Sequence, residues 1–182
     1  METNTVSRTL HDVGLALWTG GSTMGAVGVN GAATAAEPRE RLRVAGEGWS
    51  RWTPAHIGAI AAYGVGSLGL TWGNRGRLKA QRGVASLAAA KTVLTAAALA
   101  ADAYADVLGR RAGRAGDVPV AGATAPTSET PADVASTLKR LRVMQWVVPA
   151  LTGTLVVLSA RMGEQERPQA VARGIRDRLL RR

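Results

Sequence analysis

Val13-Gly14-Leu15-Ala16-Leu17-Trp18-Thr19-Gly20-Gly21, running on through Gly25, Gly28 and Gly31 to Ala36, is the stretch that decides the fold. It is apolar over the length of a membrane span, which takes ~20 residues rising ~1.5 Å each through ~30 Å of hydrocarbon. On a helix, Gly14, Trp18, Gly21, Gly25, Gly28 and Ala32 recur at steps of 4, 3, 4, 3 and 4 and share one narrow face. In lipid, small residues at that spacing let two backbones approach, and close packing replaces the missing hydrophobic drive. In water each such glycine weakens a helix by ~1 kcal/mol relative to alanine. The segment is therefore expected to pack inside a membrane bundle.

Three more apolar stretches follow, so spans are predicted at about 13–36, 54–72, 84–108 and 143–160. Thr53-Pro54 reads as a helix start, with Thr as N-cap and Pro at the first helical position. The second span repeats small residues at four-residue steps, Gly58, Ala62 and Gly66. The brief link Gly73 to Gly83, with Arg75, Arg77, Lys79, Arg82 and no acid, forces its flanking helices to be antiparallel neighbours. Between Pro38 and Trp52 an amphipathic, interfacial helix is expected, interrupted at Gly46 and Gly48. Residues 113–131, rich in Gly, Pro, Thr and Ala, read as a flexible loop. Pro149 is expected to kink the fourth helix. The tail 161–182 is basic, and Val171, Ile175 and Leu179 give it an amphipathic helical pattern. The predicted class is thus all-α, a four-transmembrane-helix bundle with short interfacial or amphipathic flanking helices, forming one domain over 1–182.

Composition bounds the chemistry. The 182 residues carry 23 Lys and Arg against 13 acids, for a net charge of +10. Mean hydropathy is near zero, because much of the apolar content is alanine and 22 glycines dilute the rest. A soluble basic bundle binding nucleic acid is the reading this leaves open. The basic residues flank apolar stretches, however, so anionic lipid headgroups are the expected partner, with no nucleic acid. Basic loops favour the cytoplasmic side, which puts both termini and the Gly73–Gly83 link inside a plasma-membrane protein. Arg8, Val13–Val29 and Ala33-Thr34-Ala35 imitate a secretory signal, but Trp18 and the glycines replace the expected leucine run. With no cysteine, thiolate chemistry, disulfides and thiolate metal sites are all excluded.

Candidate chemistry is sparse. Gly64-Val65-Gly66-Ser67-Leu68-Gly69 fits the dinucleotide-turn pattern, but it sits within a helical stretch with no acid twenty residues on. His11 and His56 open consecutive spans, so they are expected at opposite faces, as interfacial polar residues sharing no metal. On the third span Lys91, Thr95, Ala98, Asp102 and Asp106 follow steps of 4, 3, 4 and 4 and share a face. Lys91 and Asp102 lie ~16 Å apart along the axis, so each needs a partner on another helix or a water-filled cavity. No catalytic set, cofactor motif or metal cluster assembles, and no enzyme is expected.

His11-Asp12-Val13-Gly14-Leu15-Ala16-Leu17-Trp18-Thr19-Gly20-Gly21, with Gly46-Glu47-Gly48-Trp49, Thr71-Trp72-Gly73-Asn74-Arg75-Gly76-Arg77 and Met162-Gly163-Glu164-Gln165, resembles a family of uncharacterised actinobacterial four-helix integral-membrane proteins. That resemblance spans nearly the whole chain and implies fold and membrane location only. The expected role is a scaffold or accessory subunit that joins another membrane protein or its own copy through Gly/Ala-rich helix faces. Its alternative is a small-solute or ion permeation protein using the Lys91–Asp106 stripe.

Overall fold

The computed structural model describes residues 4–73, 75 and 82–165. Among them the chain is mostly helical, with four long helices: α1 (Thr5–Met24), α2 (Arg41–Gly73), α3 (Arg82–Gly113) and α4 (Ala132–Gln165). The all-α class predicted from sequence is the class observed. Residues 166–182, which hold most of the predicted basic tail, lie outside the described residues, as does most of the link between α2 and α3.

The first helix does not end at Met24. It widens into a π turn at Gly25–Val29, recovers for Asn30–Ala32, and tightens into a 3-10 turn at Ala33–Ala35 before Ala36 becomes extended. Single π turns of this kind interrupt helices where packing re-aims a face. Here the π turn brings Gly25 against the Trp49 ring of α2.

α2 corrects two expectations. It runs unbroken for 33 residues, through Gly46 and Gly48 and with Pro54 inside it. The amphipathic segment and the second span are therefore one rod. Thr53 caps nothing, because its hydroxyl donates back to the Trp49 carbonyl at 2.9 Å. Tertiary packing outweighs the local signals: Leu42 and Ala45 are buried, and Trp49 donates from Nε1 to Asn30 Oδ1 at 2.9 Å. Gly46 and Gly48 together cost only ~2 kcal/mol of helix propensity.

α1 lies antiparallel along α2, α3 pairs with α4, and α1 joins the pairs by packing on α4. Glycine makes the α1–α2 contact possible. A Cβ on Gly14 would sit 2.6 Å from the Ala59 carbonyl oxygen, and one on Gly66 would sit 2.5 Å from that of Ser7. Gly21 and Gly25 give the same room to the rings of Trp52 and Trp49. At mid-height, Leu15, Trp18, Tyr63, Ala98 and Leu155 form a buried apolar layer.

The α3–α4 connection, read from sequence as a flexible loop, carries a small antiparallel hairpin, β1 (Val120–Gly122) with β2 (Ala125–Pro126). It is tied down from both sides. Val120 donates its N–H to the Pro38 carbonyl at 3.1 Å. The Arg41 guanidinium donates to the carbonyls of Ala36, Val120 and Ala121 at 2.9–3.0 Å. Leu42, Ala112, Val120 and Leu138 pack beneath it. The hairpin thus caps one end of the bundle, and the start of α1 and the end of α4 lie at the other.

Of the four spans expected, two meet the test of length and hydropathy. Among the described residues, two helical segments are long and apolar enough to cross a membrane, Ser86–Gly113 and Ala132–Gly163. Glycine dilutes α1, and charged residues fill the first half of α2. Only 11% and 17% of the two apolar windows are buried inside the bundle, so most of each faces outward. α1 and α2 nonetheless turn large apolar side chains outward, among them Val13, Leu17 and Val27 on α1 and Ile57, Val65 and Leu68 on α2.

Candidate functional site

The site grows from one face of α3. Lys91 Nζ lies 2.5 Å from His11 Nε2 of α1, and His11 Nδ1 lies 2.6 Å from Asp12 Oδ1. An ammonium only donates, so Nε2 accepts, and Nδ1 carries the hydrogen toward the carboxylate. His11 is therefore a neutral imidazole linking a cation to an anion. It is 2% exposed, not the interfacial residue that its place at a helix start predicted. Gly66 allows this burial, because its missing Cβ leaves space for the His11 backbone.

One turn deeper, Thr95 Oγ1 and Tyr63 OH of α2 share a hydrogen bond at 2.8 Å. Ala98, the next residue on the face, belongs to the apolar layer. Beyond it, Asp102 Oδ2 lies 2.8 Å from His56 Nε2, and Trp52 donates from Nε1 to His56 Nδ1 at 3.3 Å. Since Nδ1 accepts, Nε2 carries the hydrogen, and His56 donates it to Asp102. Asp106 leaves the set. It is exposed and pairs with Arg110 one turn further along α3.

The predicted stripe thus divides in three. Lys91 and Thr95 lie on one side of an apolar layer, Asp102 on the other, and Asp106 outside. Both half-buried charges have partners on other helices, His11 and His56, the two histidines expected from sequence to be interfacial. A signal for one of them was present. Tyr63 and Thr95 stand 16 residues either side of position 79, and His56 and Asp102 stand 23 either side. Position 79 lies one residue from the middle of the Gly73–Gly83 link, so an antiparallel α2–α3 pair folded about it brings both couples level.

The predicted glycine face is placed unevenly. Gly14, Gly21, Gly25 and Gly66 are taken up between α1 and α2, while Gly28 abuts Met24 of its own rod. Ala62 is half-buried. Gly58 has nothing within 4 Å of where a Cβ would be. The segment Gly64–Gly69 lies inside α2, with no strand-to-helix turn to cradle a pyrophosphate.

Above Thr95 a cavity of about 550 Å³ opens at the end where α1 begins and α4 finishes. Arg8, His11, Asp12 and Lys91 give it a charged rim, and Ile60, Leu68, Leu99 and Met162 give it apolar walls. Ser67 also lines it, with an enclosed hydroxyl that has no hydrogen-bond partner among the described residues. Tyr63 and Thr95 close the bottom, where Tyr63 belongs to the apolar layer. Among the described residues no three His, Cys, Asp or Glu side chains group closely enough to hold a metal ion. In comparisons with known proteins, the chain matches no protein family, no curated protein and no solved structure.

Proposed function

We propose that this is an integral-membrane bundle of four helices that admits a small solute or ion into its interior, with no enzymatic step. The observation that carries the proposal is Lys91, a cation on an apolar helix, held by His11 at the wall of a cavity open to one end. An ionisable group in such a helix is costly unless it faces a bundle interior, a partner or water. Lys91 has all three types of surroundings available. All four helices belong to the bilayer in this reading, because α1 and α2 also present apolar side chains outward. The cavity end faces the cytoplasm, following the basic link and tail, and anionic headgroups surround it. The resemblance to actinobacterial four-helix membrane proteins fits the same placement.

The apolar layer of Leu15, Trp18, Tyr63, Ala98 and Leu155 separates the Lys91 chamber from the His56–Asp102 pair. Passage requires that layer to part, so the described conformation is closed. The direct test is flux through proteoliposomes with Lys91→Ala and Asp102→Ala alongside the parent chain. Flux in the parent chain that either substitution abolishes supports permeation, whereas flux indifferent to both removes it.

A scaffold or accessory role is the second reading, favoured by the outward apolar faces of α3 and α4. Its contact surface would differ from the one predicted. Gly14, Gly21, Gly25 and Gly66 are spent between α1 and α2, so a partner or second copy would dock on α3, on α4 or on the open Gly58 side of α2. Retention of one stoichiometric partner through mild-detergent purification, unaffected by Lys91→Ala, would favour it.

A further inference from the structure

The cavity has the chemistry of one class of occupant. We infer that it binds an amphipathic organic anion, with a carboxylate-type head on Lys91 and an apolar body along Ile60, Leu68 and Leu99. The inference deepens the proposed solute site and rests on that reading.

Size comes first. A volume of about 550 Å³ lies within the ~300–1,000 Å³ of pockets that enclose small organic ligands. Charge comes next. An ammonium has three donors, and among the described residues one acceptor, His11 Nε2, lies against Lys91. Two donors are left for a ligand. His11 adds no charge of its own, because its hydrogen is committed to Asp12. Asp12 is the one carboxylate among the described lining residues, and it commits an oxygen to His11 while remaining 58% exposed. Lys91 therefore keeps the donors that face the cavity. A cationic ligand would meet the like charge of the Lys91 ammonium there, and a neutral apolar one would leave the Lys91 donors unused.

The remaining wall fixes the rest of the ligand. The enclosed Ser67 hydroxyl in the cavity wall, with no partner among the described residues, is one more polar group open to an occupant. The polar atoms of the floor, Tyr63 OH and Thr95 Oγ1, are paired with each other, and the side walls of Ile60, Leu68 and Leu99 are aliphatic, which disfavours a sugar or a nucleotide and suits a short hydrocarbon body. Charge-assisted hydrogen bonds are roughly twice as strong as neutral ones, so the head should dominate selectivity. A single oxyanion on an apolar body occurs both as the carboxylate of a free medium-chain acid and as the phosphodiester of an anionic lipid, and the experiment separates the two.

The test uses the full chain in phosphatidylcholine nanodiscs, titrated with octanoate, octylamine and octanol, with binding read by calorimetry. Saturable octanoate binding, at least about tenfold tighter than octanol and with no octylamine binding, is the expected result. Lys91→Gln should weaken octanoate by about tenfold or more, while Lys91→Arg keeps it within a few-fold. If Lys91→Gln does not fold, the comparison of the three ligands on the parent chain decides alone. Repeating the titration with phosphatidylglycerol in the disc identifies the source: loss of octanoate binding shows that the lipid holds the same site. Octylamine or octanol binding as tightly as octanoate overturns the inference, and so does no octanoate binding in either disc. Alkaline carbonate extraction of the same preparation tests membrane residence separately. A chain that stays in the membrane but ignores octanoate sinks the ligand assignment alone.

Discussion

His56 and Asp102 meet across α2 and α3 at 2.8 Å, with the far nitrogen of His56 held by Trp52. The pair is partly enclosed, at 15% and 21% side-chain exposure. Removing one member strands the other. His56→Leu or Asp102→Leu should each lower stability by ~1–3 kcal/mol, the cost of an unsatisfied buried polar group. The double change should cost less than the two singles combined, because nothing is left unpaired. Thermal unfolding in detergent of the four proteins measures this; strict additivity would show that the two side chains do not act as a pair.

Glycines at the α1–α2 contact divide into two kinds. At Gly14 and Gly66 an added methyl meets backbone atoms, which cannot swing aside. Gly14→Ala and Gly66→Ala should each cost ~1–3 kcal/mol through overpacking. Gly58→Ala meets nothing within 4 Å, and should stabilise α2 by up to ~1 kcal/mol. Melting temperatures should therefore move in opposite directions. A fall of equal size at Gly58 would show that the packing of α2 is different.

Arg41 holds the hairpin cap through three carbonyls. Arg41→Ala should leave the helices folded and loosen residues 117–130 selectively. Limited proteolysis or hydrogen exchange should show faster cleavage or exchange there, with α3 and α4 unchanged. Arg41→Lys should not restore protection, since a point ammonium cannot span donors that a planar guanidinium fork reaches together. Unaltered exchange in the hairpin after Arg41→Ala would show that its backbone pairing and buried Val120 suffice.

Much of this architecture is legible in the residues, and what is not has identifiable causes. Patterning places α1, α3 and α4, because each holds an apolar stretch of about span length. It also puts Lys91, Thr95 and Asp102 on a common face, which is a property of one helix alone. Continuity of α2 is hidden, since Gly46, Gly48 and Thr53-Pro54 are local stop and start signals that the buried contacts of Leu42 and Ala45 override. The hairpin is hidden for a related reason. Its hydrogen bonds run to Pro38 and Arg41, far away in the chain, so its own composition reads as a loop. His11 was discounted because a helix start suggests the surface. Its burial depends on Gly66, which only the folded pair brings alongside it.

The central claim is that lipid surrounds the outward apolar faces of all four helices. The chain has no cysteine, so single cysteines can be introduced at Leu17, Val65, Val93 and Val157, each exposed on a different helix, with Gly116 as a control near the hairpin. Labelling with a membrane-impermeant maleimide in sealed vesicles of both orientations is the most direct measurement. The prediction is that the four helix positions stay unlabelled until the membrane is dissolved and the chain unfolded, while Gly116→Cys reacts from one side only. Rapid labelling of Leu17→Cys and Val65→Cys in intact vesicles would contradict the account, because water would then be the solvent around α1 and α2.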